Sequence, residues 1–156
     1  MSLKVGDTIP YFELKDQQGE LFKSNSVIGQ KPAVVYFYPK DDTPGCTKEA
    51  IDFTAHLEEF TKHDTVIIGV SADSLKQHKK FSEKHSLNVI LASDEDKKTC
   101  EDYGVWVEKS MYGKKYMGIE RSTFLINSEG KLVQEWRKVK VTGHAKEVLE
   151  VAKTIS

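Results

Sequence analysis

Residues 33–49 read AVVYFYPKDDTPGCTKE. The first six, Ala33 to Tyr38, form an unbroken apolar run, the pattern of a central strand covered on both faces. A loop follows from Pro39 to Gly45. Apolar side chains then recur at Cys46, Ala50, Phe53, Leu57 and Phe60, alternately four and three residues apart. That spacing predicts one amphipathic helix opening directly behind the loop.

The alternation of strand and helix continues outward from this unit. Thr65 to Ser71 (TVIIGVS) predicts a second buried strand, and Ser74-Leu75-Lys76-Gln77 is a capping box opening a helix that runs to about His85. Val89 to Ala92 predicts a third short strand. Asp94 is placed to cap a helix ending near Tyr103-Gly104, where glycine suits the position just past a helix end. Towards the N-terminus, Tyr11 to Phe22 alternates around Asp16-Gln17-Gln18-Gly19, which predicts a hairpin. Val105 to Gly118 shows no period and carries three aromatics, so a long loop is expected there. Ser122 to Ile126 and Lys131 to Trp136 predict two strands joined at Asn127-Ser128-Glu129-Gly130. A last helix groups Ala145, Val148, Leu149 and Ala152 on one face. The order predicts an α/β fold with a central sheet and helices on both sides. No repeat, linker or low-complexity tract interrupts it, so a single domain over residues 1–156 is expected.

Composition narrows the function classes. Of 156 residues, 38% are hydrophobic and 30% charged, with a net charge of −1, so no field of one sign favours nucleic acid. Residues 1–30 hold no apolar run long enough for a signal peptide or a membrane span, and a cytoplasmic location is the expectation. Two cysteines, Cys46 and Cys100, are too few for a disulfide framework, and neither belongs to a Cys-x-x-Cys pair.

Cys46 stands apart by its lead-in. Thr43 suits an N-cap and Pro44 the first helical position, which puts Cys46 third. A thiol in the first turn faces unpaired backbone N–H groups and the positive end of the helix dipole, and both favour the nucleophilic thiolate. Gly45 removes bulk beside the sulfur, Pro44 fixes the turn and Thr43 leaves a hydroxyl within reach. A small apolar residue packed on Ala50 and Phe53 is the plainer reading of a cysteine here, but it needs none of those three neighbours.

The run Pro39-x-x-x-Thr43-x-x-Cys46, with Glu49 three residues on, resembles the active-site motif of the peroxiredoxins. The form Thr43-Pro44-Gly45-Cys46-Thr47-x-Glu49-Ala50 is similar to the PrxQ, or bacterioferritin comigratory protein, subgroup. The resemblance recurs at Gly69-Val70-Ser71-Ala72-Asp73, Ser93-Asp94-Glu95, Tyr103-Gly104-Val105-Trp106 and Gly118-Ile119-x-Arg121-x-x-Phe124-Leu125-Ile126. It implies a thioredoxin-like fold with a mixed sheet, and peroxidase activity on hydrogen peroxide and organic hydroperoxides without metal or flavin. It also implies roles for single residues. Cys46 would be oxidised to a sulfenic acid, Thr43 and Arg121 would bind the peroxide, Pro39 would shield the sulfur and Glu49 would orient Arg121.

Many members of that subgroup carry a resolving cysteine five residues after the first or on the next helix. Here the first position is Ile51, and Phe81 to His85 holds no cysteine. Cys100 is the internal candidate, with a thiol packed against Tyr103 or Val105 as the competing account. A one-cysteine cycle is therefore expected, recycled by thioredoxin, glutaredoxin or glutathione, in a monomer or weak dimer.

Other readings fit less well. A cysteine phosphatase needs arginine where Asp52 stands, and Gly69-Val70-Ser71-Ala72-Asp73 lacks the closing glycine of a hydrolase elbow. Disulfide exchange lacks a thiol at Thr43 or Glu49. A chaperone on the same scaffold would not need Pro39, Thr43, Cys46 and Arg121 together. His56, His63, His78, His85 and His144 have no metal-ligand spacing and are expected to face solvent.

Overall fold

The computed structural model describes residues 3–155. The apolar run becomes a strand, β3 (Ala33–Phe37), every residue of which is buried. It lies at the centre of a seven-stranded mixed sheet. Its neighbours are β4 (Val66–Ser71), which pairs with it in parallel, and β8 (Ser122–Ile126), which pairs antiparallel. Beyond β4 come β5 (Ile90–Ser93), parallel, and then the N-terminal hairpin of β1 (Glu13–Asp16) and β2 (Leu21–Lys23). Beyond β8 lies β9 (Leu132–Trp136), so the order is β2-β1-β5-β4-β3-β8-β9.

Successive residues of β3 point to opposite faces, and each face meets its own core. Val34 and Tyr36 join Ile67, Leu91 and Leu125 on one face. That face is covered by α1 (Pro44–Ala55), α2 (Leu57–Lys62), α3 (Leu75–Lys84) and α5 (His144–Lys153), through Phe53, Phe60, Phe81 and Val148. Val35 and Phe37 join Ile68, Val70 and Phe124 on the other, under Phe12, Tyr103 and the short α4 (Lys98–Asp102). The helices therefore flank the sheet on both sides, as the alternating order predicts.

The capping box forms as read, with Gln77 N donating to Ser74 Oγ at 3.2 Å and Ser74 N to Gln77 Oε1 at 3.0 Å. Asp94 caps α4 from outside the helix. Its carboxylate accepts the N–H groups of Thr99 (3.2 Å) and Cys100 (2.8 Å).

Three expectations need correction. The stripe from Cys46 to Phe60 is divided between two helices, because the chain turns at His56, bringing Phe60 within 6.1 Å of Phe53 between ring centroids. Val105 to Gly118 is no loop. Most of it forms a separate hairpin of β6 (Trp106–Met111) and β7 (Lys114–Ile119), turned by Tyr112 and Gly113 at positive φ. A ribbon that buries little of either face has little reason to alternate polar and apolar residues, and it carries no period to read. The histidines are not uniformly solvent-facing either: His78 and His144 are buried.

Candidate active site

The end of β3 delivers the chain to a loop held at several points. Tyr38 Oη donates to Asp41 Oδ1 at 2.6 Å, and Asp41 Oδ2 lies 2.5 Å from His78 Nδ1 on α3. Asp41 N donates to Asp73 Oδ2 at 2.8 Å, just past β4. Asp42 takes the left-handed conformation (φ 60°), and its carboxylate meets Lys84 Nζ at 2.7 Å and His85 Nε2 at 3.0 Å. The loop that leads into α1 is thus pinned to both β4 and α3.

From that anchored loop α1 starts as its sequence requires. Thr43 is the N-cap in an extended conformation, Pro44 occupies the first helical position and Cys46 the third. No acidic side chain occupies the first turn, so the exposed N–H groups and the positive end of the dipole face the thiol without a competing carboxylate. The Thr43 hydroxyl does not cap the helix. It donates to the Lys40 carbonyl at 2.8 Å.

Arg121 reaches this thiol from the other side of β3. Because β8 runs antiparallel to β3 with Ser122 opposite Phe37, the residue before β8 emerges beside the strand end that feeds the Cys46 loop. Its Nη2 lies 3.4 Å from Cys46 Sγ, and its Nη1 donates to Glu49 Oε1 at 2.8 Å. Cys46 and Glu49 are each 1% exposed, whereas the arginine side chain retains 17%. Burial pushes Glu49 up to about 7, against the pull of Arg121 towards the carboxylate. Burial opposes the charge of Arg121, but the negative charges of Glu49 and the Cys46 thiolate outweigh it and hold the guanidinium protonated. Glu49 Oε2 and the hydroxyl of Tyr36 are buried without a hydrogen-bond partner among the described residues.

Gly45 has a sharper purpose than reducing bulk beside the sulfur. A Cβ there would stand 3.1 Å from Arg121 Nη2, so the vacant position is where the guanidinium packs. Gly69 does the same for Tyr36, whose ring carbon Cζ and hydroxyl oxygen lie 2.7 and 2.8 Å from the position of an added Cβ.

Cys46, Glu49 and Arg121 are therefore brought together. Pro39 is exposed in the anchored loop, and Thr43 is half-buried one turn before the thiol. Ile51 is exposed on α1. Cys100 is fully buried in the core of the opposite face, and burial together with Asp94 pushes its thiol far up. No local pattern announced the anchoring residues Asp41, Asp73 and His78, which come from three separate segments. These three have the spacing of a metal-ligating cluster. Both His78 ring nitrogens are engaged, with Asp41 and with the Ala92 carbonyl at 3.0 Å, and Asp73 Oδ2 accepts from Asp41 N and Ser71 Oγ. Both Asp41 oxygens are likewise taken, so the cluster reads as a structural lock. His144, at the start of α5, packs edge-on against Phe53 and Trp136, and burial lowers it to about 4.

Comparison with known proteins agrees with this geometry. Residues 5–135 match the AhpC/TSA family. The chain is 51% identical over its whole length to peroxiredoxin Bcp of Bacillus subtilis, covering 99% of that protein. It is 43% identical over 147 residues to peroxiredoxin Bcp of Escherichia coli, covering 94% of each. Among solved structures, peroxiredoxin Q of Xanthomonas campestris superposes with a TM-score of 0.88 at 46% identity, over 97% of this chain and 96% of the other. A PrxQ mutant of Xylella fastidiosa gives 0.93 at 38% identity, over 99% and 98%. With a thiol at a helix mouth, an arginine upon it and relatives alike from end to end, the chain belongs to the AhpC/TSA family, as a peroxiredoxin of the PrxQ (Bcp) subgroup and so a thiol-dependent peroxidase.

Proposed function

We propose that the chain reduces hydrogen peroxide and organic hydroperoxides through a Cys46 sulfenic acid, in a one-cysteine cycle closed by an external thiol. The observation that carries the reading is the 3.4 Å approach of Arg121 Nη2 to Cys46 Sγ. The thiolate attacks the terminal oxygen of the peroxide. An S–O bond forms, the O–O bond breaks, and the electron pair leaves on the second oxygen, which takes a proton to become water or an alcohol. Negative charge moves from sulfur to the departing oxygen, and Arg121 offers donors along that path, so it stabilises the transition state more than the ground state. Thr43 exchanges its bond to the Lys40 carbonyl for one to the peroxide. Pro39 screens the sulfur from water, and Glu49 holds Arg121 in register.

The one-cysteine cycle draws support from the placement of the two thiols. Cys46 belongs to the core on one face of the sheet and Cys100 to the core on the other. A disulfide needs Cα atoms within roughly 7 Å. Thioredoxin, glutaredoxin or glutathione, present in a reducing compartment such as the cytoplasm, then attacks the sulfenic sulfur and releases water. A second thiol frees Cys46 from the mixed disulfide. The enzyme works this way as a monomer or weak dimer. Intact-mass analysis after one equivalent of peroxide tests the cycle: gain of one oxygen on the Cys46 peptide supports it, and loss of two hydrogens with a Cys46–Cys100 peptide refutes it. Peroxide consumption that survived Cys46→Ser would remove the thiol from the mechanism.

A further inference from the structure

We propose that Lys109, on the β6–β7 hairpin, is a second cation of the peroxide site, a positioning residue that selects for peroxides carrying a negative charge. The hairpin register pairs Val107 with Gly118 and Lys109 with Tyr116, which puts all four on one face of the ribbon. Gly118 leaves that face bare, and the lysine stem occupies the gap. A Cβ on Gly118 would stand 3.2 Å from Lys109 Cδ and 3.5 Å from Cε. The stem therefore runs diagonally across β7, towards the end of the hairpin that continues into Arg121.

The side chain is half-buried, and its ammonium feels the charges of Arg121, Cys46 and Glu120. Burial lowers its affinity for a proton, Arg121 adds to that, and the Cys46 charge opposes it. Glu120 is engaged by Arg137 at 3.5 Å, and the neighbouring Lys115 has Glu108 at 3.6 Å. Lys109 has no carboxylate of its own among the described residues. When Cys46 and Glu49 are both ionised, Arg121 balances only one of them, and Lys109 supplies the other positive charge. A peroxide that presents its O–O group to Cys46 and Arg121 while carrying a negative charge elsewhere meets a cation here, where a neutral peroxide gains nothing.

This inference rests on the peroxidase reading for its substrate, so one arm of the test needs no turnover. Cys46 is alkylated with iodoacetate, an anion, and with iodoacetamide, its neutral counterpart, and followed peptide by peptide so that Cys100 is counted separately. The second arm compares peroxymonosulfate, an anion, with tert-butyl hydroperoxide. Lys109→Met keeps the unbranched stem without the charge, and Lys109→Arg keeps a charge. An ammonium at the rim of a partly wet site is expected to raise the anion-to-neutral rate ratio about fivefold above that of the same site without the charge. Lys109→Met loses that factor in both ratios, Lys109→Arg retains it, and high salt brings wild type down to the Met variant. Anion-to-neutral ratios that Lys109→Met leaves unchanged in the alkylation arm overturn the proposal. A wild type that alkylates with the expected preference but consumes no peroxide would instead count against the peroxidase reading.

Discussion

Replacing Glu49 by Gln separates the charge of the buried carboxyl from its shape. In the folded state Glu49 titrates at about 7, against an ordinary value of 4.5. Below pH 4.5 both folded and unfolded chains keep this proton, and the residue contributes no pH dependence. As pH rises from 4.5 to 7 the unfolded chain gives the proton up while the folded one holds it. Stability therefore falls through this window and levels off above it. At about 1.4 kcal/mol per pH unit, a gap of roughly two and a half units amounts to about 3 kcal/mol. The glutamine has no proton to give, so its stability lacks this decline. His144, lowered to about 4 by burial, pulls the other way, but it does so in both proteins and cancels in the difference.

The assay is urea unfolding of the reduced wild type and of Glu49→Gln at half-unit steps from pH 4.5 to 8. The variant's stability relative to wild type is expected to rise by about 3 kcal/mol over that range. Its peroxide reaction is expected to move in the opposite direction. A neutral amide oxygen holds the guanidinium roughly half as strongly as a carboxylate does, so Cys46 should react about tenfold more slowly near pH 8. Two stability curves that run parallel across the window would refute the reasoning, for they would mean that Arg121 offsets the burial of Glu49 in full.

Two further substitutions probe the close packing. Gly45→Ala pushes a Cβ to 3.1 Å from Arg121 Nη2. It should slow peroxide consumption several-fold yet raise the melting temperature slightly, since alanine suits a helical turn better by up to about 1 kcal/mol. An unchanged rate would mean the guanidinium finds its place regardless. Gly69→Ala sets a Cβ within 2.8 Å of the Tyr36 ring between two buried strands. Thermal unfolding should report a loss of about 1–3 kcal/mol, and wild-type stability would show that the ring has room to move.

Which of these features was legible beforehand follows from how far apart the cooperating residues lie in the chain. The apolar run of β3 reads directly, because a strand buried on both faces excludes polar residues at every position. The Ser74–Gln77 capping box and the helix start at Thr43-Pro44-Gly45-Cys46 read equally well, since each depends on neighbours within one turn. The β6–β7 hairpin defeats the same logic. It buries little of either face, and its turn uses Tyr112, 98% exposed and in the left-handed region, where asparagine or aspartate would have signalled the bend.

The site divides along the same line. Cys46 drew notice from its own helix, but the Arg121–Glu49 pair joins residues 72 positions apart, and only the resemblance to known peroxiredoxins suggested it. What brings them together is the pairing of β3 with β8: a one-residue slip in that register would turn Arg121 to the other face of the sheet. The Asp41–His78 lock, built from a loop and a helix 37 positions apart, had no signal at all. Lys109 needs two registers at once, that of the hairpin to lay its stem over Gly118 and that of the sheet to bring Arg121 to Cys46. A thiol placed by one turn of helix is thus given its arginine by strand pairings that no short stretch of sequence records. Substitutions that shift β8 against β3 should therefore impair peroxide chemistry even where the motif from Pro39 to Glu49 is left untouched.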